Sequence, residues 1–577
     1  MRTPHITRTL IGLALIGLLL GLWPAASLRA QDPPVDRRFG AVEAFRFPPG
    51  ATDLRVGWER VLFWWRGLQP TNSDEWNEFY FPDGELNGEL AAGREVIGML
   101  SNPPDWANGN QGPAGVPKNL DLPWNDTHNY WGQFVYKTVK RYRGKIDHWV
   151  VWNEPDVWSV EQPGYTWKGT AEEFYQLMRV AWFAAKDANP DCTIHLPGLT
   201  YYWDKEHGRE LYFSRLLNLI DKDPTAKEHQ QYFDVVTLHL YFRSQAVYDI
   251  LQEFRQVMAQ HGLNKPIWIN ETNAPPSRDP QDPVPNTVFH VTLDEQASFI
   301  VQAFALGIAG SADRIAVYKL IDRPKPPGAL EPYGLLREDE SRRPGYEAYR
   351  VVTRYFAGFK GAVLQQKGPV QVVTIDRGDK TSTVVWTNSP EPQAFDLPAI
   401  AAGALLVDKA GKTQTIASEG GRYSLKLEGA TCTHPGCIMG GSPWVVVEDG
   451  RAPRREISGV TPAASPRSAP PATALPTPTD TPSPTATDTP TSTPTSTATD
   501  TPTSTPTPTD TATATATATA TPTVTPTPTP VKLFRPNSEG CLRVYMVWVA
   551  GLAAIYFGAV YLVVTWYRWR RRNRRRP

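Results

Sequence analysis

Trp149-Val-Val-Trp-Asn-Glu-Pro-Asp156 is an apolar run that ends abruptly in a carboxamide and a carboxylate, Asn153 and Glu154, before Pro155 stops it. Proline cannot donate to a strand ladder, so the run reads as a buried strand with a polar end. Lys265-Pro-Ile-Trp-Ile-Asn-Glu-Thr272 repeats the pattern and drives a second apolar run into Glu271. Working outward, similar short apolar runs predict strands at 39–42, 56–61, 95–100, 148–152, 193–196, 235–239, 267–269 and 315–318. Between them lie amphipathic stretches at 130–142, 171–187, 211–220, 246–261, 294–309 and 345–355. Eight strands alternating with helices predict an α/β fold of the (β/α)8 barrel type, whose working end is the C-terminal end of the strands. The alternative is a doubly wound open sheet. No glycine-rich phosphate loop follows an early strand, and the count is eight, which favours the barrel.

The chain is 577 residues long, more than one hydrophobic core usually serves, and the barrel would occupy 36–357. From 358 to 450 the pattern changes to short alternating runs at 370–375, 382–386, 405–408, 423–427 and 444–447, separated by turn residues. These predict a small β-sandwich-like domain, read as a structural buttress. Residues 451–540 form a linker in which 28 Thr and 17 Pro fall within 461–530, too poor in apolar surface to fold. An extended Pro-Thr segment of that length makes a stalk.

The two ends speak to compartment. Residues 1–30 combine a basic start, Arg2 and Arg8, with an apolar run and small residues near Ala30, the pattern of a secretory signal. Residues 544–567 carry no charge over a length that spans a bilayer, and the tail 568–577 holds seven Arg. The expected protein is exported and anchored at the cell surface by one C-terminal transmembrane helix, with the folded part outside. Lys+Arg and Asp+Glu are equal at 59 each, but the basic residues crowd the ends and leave 31–542 acidic, which argues against nucleic acid as a partner. Four cysteines are too few and too scattered for a disulfide scaffold or a zinc ribbon, although Cys432 and Cys437 are close enough to form a local disulfide. No ligand spacing implies a metal or organic cofactor.

Glu154 and Glu271 lie three strand units apart in a barrel and so can face each other across its mouth. Cleavage of a glycosidic bond needs such a pair, one acid to protonate the leaving oxygen and one carboxylate opposite. At these residues the sequence resembles clan A of the retaining (β/α)8 glycoside hydrolases, closest to the family 39 and family 5 types. The resemblance runs from about Arg38 to Gly358. It includes Trp58-Glu-Arg60, Leu100-Ser-Asn-Pro-Pro-Asp-Trp106, His239-Leu-Tyr241, Tyr333-Gly-Leu-Leu336 and Arg343-Pro-Gly-Tyr-Glu-Ala-Tyr349.

The resemblance implies Glu154 as acid/base and Glu271 as nucleophile, with the carboxyl groups about 5–5.5 Å apart. It implies that Asn153 bonds a sugar 2-hydroxyl, that Arg60 keeps Glu271 ionised, that Tyr241 donates to Glu271, and that His239 lines the same pocket. Glu154, which must hold its proton, is expected in the more desolvated environment of the two. The sequence departs from the clan at two points. Asn270 stands where Thr or Ser usually precedes the nucleophile, and the last strand offers Tyr318 and Lys319 where a sugar-stacking Trp is usual. Tyr318 would take the stacking role, and Lys319 would reach the site. Fourteen of the 20 Trp fall between Trp58 and Trp268, and Trp64, Trp65 and Trp106 read equally as core or as sugar platforms, Trp106 being the candidate for substrate contact. Asn270-Glu-Thr272 also matches a glycosylation acceptor, read as chance. The expected function is a retaining glycoside hydrolase acting on β-linkages of extracellular poly- or oligosaccharide. The competing readings are an inactive surface glycan-binding protein and a transglycosylase using the same residues.

Overall fold

The computed structural model describes residues 34–451, apart from 163, 285–289, 324–331 and 433–438. The signal segment, most of the linker, the 544–567 span and the basic tail lie outside the described residues. Among the described residues no helix is long and apolar enough to cross a membrane.

Eight parallel strands close into a barrel in sequence order: β1 Phe39–Ala41, β2 Trp58–Trp64, β3 Glu95–Ser101, β4 His148–Val151, β5 Thr193–Leu199, β6 Val235–Tyr241, β7 Ile267–Asn273 and β8 Arg314–Val317. Closure comes from β1 pairing with β8, Phe39 opposite Ile315, which rules out the open sheet. Period-two alternation sets the interior. Trp58, Ile97, Met99, Val150, Val235, Trp268 and Ala316 form a separate apolar cluster inside the barrel, and the helices cover its outer face. β2 and β3 run to Trp64 and Ser101, further than their apolar runs suggest, because the two strands stay in register to that point. The longer β7 carries its pairing through Glu271 to Asn273.

The second domain has a six-stranded antiparallel sheet and a two-stranded one, Gln393–Pro398 with Arg422–Leu427. Three strands were not legible as apolar runs: Gly361–Lys367, Gln393–Pro398 and Thr413–Ala417, each half-buried or exposed along much of its length. One face of the large sheet packs on the small one through Val372, Val385, Leu397 and Leu427. Its other face, with Val373, Val384 and Trp386, joins the core of the barrel helices. Helix Leu293–Ala309 is therefore covered on both sides and almost wholly buried, which explains its all-round apolar sequence. Its Gln302 amide donates to the carbonyls of Gly440 (3.0 Å) and Gly441 (2.8 Å), tying the two domains through one polar side chain. Cys432 in this domain is disulfide-bonded; Cys437 lies outside the described residues.

Candidate active site

The strand ends deliver six of the eight residues singled out in the sequence to one cavity of about 420 Å³: Arg60 from β2, Asn153 and Glu154 just after β4, Tyr241 from β6, Glu271 from β7 and Tyr318 just after β8. His239 from β6 lies beneath them, buried and bonded to Glu154 and Arg60. Trp106 is not there. Its indole Nε1 donates to the Gln69 carbonyl at 3.0 Å, and its ring packs edge-on against Trp65 and Tyr130. Trp65 is core as well, stacked on Phe134, whereas Trp64, one residue earlier, lines the cavity. Lys319 is buried, with its Nζ 5.7 Å from the centre of the Tyr318 ring, and it is not among the residues that line the cavity.

Two backbone irregularities aim the acids. Beyond β4 the chain turns sharply, with Trp152 at φ 77° and Glu154 at φ 42°, a region that side-chain-bearing residues seldom adopt. The turn is held by Trp152 N–H donating to the Leu100 carbonyl (2.8 Å) and Glu154 N–H donating to the Gly198 carbonyl (3.1 Å). On β7, Leu238 pairs with Ile269 and His239 pairs with Glu271, so Asn270 is an extra residue in the strand. Strict alternation from the interior Trp268 would turn Asn270 inward and Glu271 out. The bulge reverses that and puts Glu271 on the cavity face. Asn270 is fully buried, which closes it to a glycan.

Around the acids the hydrogen bonds have a definite polarity. The Arg60 guanidinium donates to Glu271 Oε1, and the Tyr241 hydroxyl donates to Glu271 Oε2. Arg60 Nη1 also lies 3.2 Å from His239 Nε2. A guanidinium only donates, so Nε2 must accept, and the single ring proton sits on Nδ1. That proton points at Glu154 Oε1, 2.7 Å away, with Glu271 Oε2 at 3.4 Å. One oxygen from each carboxylate and a nitrogen of His239 lie within 4.8 Å of one another. A cation on these three groups would compete with the Arg60 guanidinium already bonded to two of them.

Glu271 is the more buried acid, its side chain 7% exposed against 16% for that of Glu154. The expectation that Glu154 sits in the drier environment is therefore reversed. Burial alone would push the Glu271 carboxyl up, but the Nδ1–H edge of His239, the Arg60 guanidinium and the Tyr241 hydroxyl outweigh it and hold the group below the ordinary glutamate value. Burial and the Glu271 charge push the Tyr241 phenol well up, so it remains a donor. A close approach fixes His239 from below: a Cβ on Gly198 of β5 would come 2.0 Å from His239 Nε2, so only glycine leaves room for the ring.

Ser101, Asn102 and Tyr333 line the cavity without having been singled out for it. Ser101 was within reach of sequence reading, since it follows Ile97 and Met99 on the interior face of β3. Tyr333 was not, because it belongs to no helix or strand whose pattern would have pointed to it. Asn273 Nδ2 donates to both the Tyr318 carbonyl (2.6 Å) and the Tyr333 carbonyl (2.7 Å). The rings of Tyr241, Tyr318 and Tyr333 then meet edge to face at 5.3–6.3 Å, forming an aromatic corner where a Trp is usual.

No family model matches the chain, and no curated protein matches it. Solved structures do. A family 39 glycoside hydrolase from the gut symbiont Bacteroides cellulosilyticus aligns with a TM-score of 0.53 at 15% identity, covering 72% of this chain and 81% of its own. A GH30 endoxylanase from Clostridium papyrosolvens aligns at 0.48 and 15%, covering 73% and 98%. A monomeric β-xylosidase from Caulobacter crescentus gives 0.47 and 16%, covering 73% and 97%. At such identities the likeness is one of fold, and the chain has the (β/α)8 barrel that its resemblance to the clan A hydrolases implies.

Proposed function

We propose that this chain is a retaining glycoside hydrolase that cleaves β-glycosidic bonds of poly- or oligosaccharide by double displacement. The observation that carries the reading is the geometry of two carboxylates at the ends of β4 and β7, with oxygens within 4.8 Å, one of them held ionised by Arg60 and Tyr241. Such closeness suits the roughly 5–5.5 Å carboxyl separation of retaining enzymes rather than the roughly 6.5–9.5 Å of inverting ones.

In the first step Glu271 attacks the anomeric carbon while Glu154 gives its proton to the departing oxygen. The bond to the leaving group breaks, and a covalent glycosyl ester forms on Glu271. In the second step the ionised Glu154 takes a proton from water, the resulting nucleophile attacks the anomeric carbon, and Glu271 leaves as a carboxylate with net retention. The His239 Nδ1–H lies between the two acids and can stabilise whichever is charged, Glu271 before the ester forms and Glu154 after it. Asn153 would bond the 2-hydroxyl, and the Tyr318–Tyr333 corner would take one sugar face. The signal-like start, the 461–530 segment and the uncharged 544–567 run support an exported enzyme tethered at the cell surface.

The test is hydrolysis of aryl β-glycosides and of β-glucan, xylan and mannan by the wild type, Glu154→Ala and Glu271→Ala. Loss of turnover in both variants, with azide restoring Glu271→Ala to give a glycosyl azide of inverted configuration, is expected. Glycan binding without turnover, unaffected by either substitution, would overturn the hydrolase reading.

A further inference from the structure

Arg343, Asp322 and Asp279 take no part in the two-step reaction, and none of them lines the cavity. All three are nonetheless buried charges: the Arg343 and Asp279 side chains are 0% exposed and that of Asp322 is 1%. Asp279 lies in the loop after β7, Asp322 follows β8, and Arg343 immediately precedes the helix Pro344–Tyr355. Arg343 Nε donates to Asp279 Oδ2 (2.7 Å), and its Nη1 donates to Asp322 Oδ2 (2.6 Å). Arg337 donates to the same Asp279 through Nε (2.8 Å) and Nη2 (3.0 Å). Taking charges out of water costs about as much as their attraction returns, so such a network is a poor stabiliser of a fold. What it supplies is direction, because a planar guanidinium donates along fixed lines.

Those lines converge on the peptide group that follows Tyr333. The Tyr333 carbonyl accepts from Asn273 Nδ2 (2.7 Å), and the Gly334 N–H donates to Asp322 Oδ1 (2.8 Å), so both polar ends of that group are held. The Gly334 carbonyl then accepts from Arg343 Nη1 (2.7 Å). The backbone is tightly packed here: a Cβ on Gly334 would come 2.2 Å from the Leu336 carbonyl oxygen and 2.6 Å from the Asp322 nitrogen. The network thus holds the backbone from which the Tyr333 ring projects into the cavity. There the ring meets Tyr318 at 5.3 Å and Tyr241 at 5.7 Å. Tyr241 is the hydroxyl donor to Glu271, so one ring connects the buried charges with the cavity wall and with the partner of an acid.

We propose that Arg343 is a positioning residue: bonded to Asp279, Asp322 and the Gly334 carbonyl, it holds the Tyr333 ring where it walls the cavity. The proposal rests on the reading of that cavity as a glycosidase site, and within it Tyr333 is the residue through which Arg343 acts. A lysine in place of Arg343 keeps the charge but presents one ammonium instead of a fork, so it cannot serve two acids and a carbonyl along the same lines.

The full-length chain, Arg343→Lys, Asp322→Asn, Tyr333→Ala and the double variant Arg343→Lys/Tyr333→Ala would be assayed on 4-nitrophenyl β-glucoside, β-xyloside and β-mannoside. The expected result is a kcat/KM on the preferred glycoside lowered about tenfold by each single substitution. Added to Tyr333→Ala, Arg343→Lys should cost less than about a further twofold, because the ring it positions is already gone. Losses that multiply in the double variant mean that Arg343 acts on the fold at large, and overturn the proposal. An unchanged kcat/KM in both Arg343→Lys and Asp322→Asn overturns it too. If Arg343→Lys does not fold, Asp322→Asn, alone and combined with Tyr333→Ala, gives the same cycle. If the wild type turns over nothing, the hydrolase reading fails by itself. Fluorine resonances of 3-fluorotyrosine placed at Tyr333 and, as a control, at Tyr142 of the helix Tyr130–Tyr142 then decide. A shift in Arg343→Lys at Tyr333 alone supports the proposal, and no shift, or a shift at both, overturns it.

Discussion

The two ends of the barrel carry comparable sets of side chains and do different things with them. At the N-terminal end, His195 Nε2 lies 2.9 Å from His148 Nδ1, His148 Nε2 lies 3.1 Å from Glu95, and Arg314 closes the chain on Glu95 at 2.7 Å. Trp268 seals this end, with Arg314 over its face at 4.1 Å and His195 against it at 4.7 Å. At the C-terminal end, His239 and Arg60 meet two acids instead of one, around a cavity. A histidine, an arginine and a carboxylate are thus not a site by themselves. One acid plugged by Trp268 makes a joint between strands. Two acids in a cavity, with donors concentrated on one of them, make a pair able to exchange roles.

The sharpest break in this comparison is Glu271→Gln, which leaves the fold and, on the proposed mechanism, removes the nucleophile. Turnover should fall by about 10⁴-fold or more, read as kcat on any active substrate. Glu154→Gln comes next, with a loss of roughly 10²–10⁴-fold on natural leaving groups. On a 2,4-dinitrophenyl glycoside, whose leaving group needs no proton, the first step should be far less affected, so a uniform loss on both substrates would count against the acid role. Gly198→Ala alters neither acid's side chain, although the Gly198 carbonyl accepts from the Glu154 N–H. The alanine methyl would displace the buried His239 ring at a cost of about 1–3 kcal/mol, so we expect a lowered Tm together with about a tenfold fall in kcat of the folded enzyme. No effect on kcat would mean that His239 is only scaffolding.

The smallest effect belongs to the sealed end. Burial lowers the His148 and His195 values, well below the usual 6.5 for His195. In this direction the folded state binds fewer protons, so their contribution to stability is complete above about pH 6.5 and is lost as pH falls towards the lowered values. Asp156 slopes the opposite way, since burial and the Glu154 charge push it up to about 7. The informative quantity is therefore a difference: between pH 7.5 and 5, His195→Gln should lose less Tm than wild type, by about 2–4 °C. Parallel curves would mean that the pair does not titrate with unfolding.

Much of the site was legible because its signals are local. An apolar run that ends in Asn153-Glu154 or in Glu271, an Arg two residues into a strand, and His239 and Tyr241 two residues apart on one strand face each announce an inward side chain near a strand end. Helices were legible for the same reason, 130–142 being observed as Tyr130–Tyr142. Trp106 shows where such reasoning stops. It follows a strand in the right motif, yet whether an indole stacks on a sugar or on Trp65 depends on which neighbours reach it.

The short apolar runs by themselves marked the eight strands and their polar ends, because these depend only on neighbours along the chain, and counting three strand units between Glu154 and Glu271 set the two acids across a barrel mouth. The tertiary structure alone decided that Asn270 is the extra residue of β7, that Asn273 holds Tyr333 beside Tyr318, and that Glu271 rather than Glu154 is the drier acid. A bulge is set by how two strands pair, and burial by everything packed around a side chain. Both are properties of contacts between segments far apart in sequence, which no local pattern records.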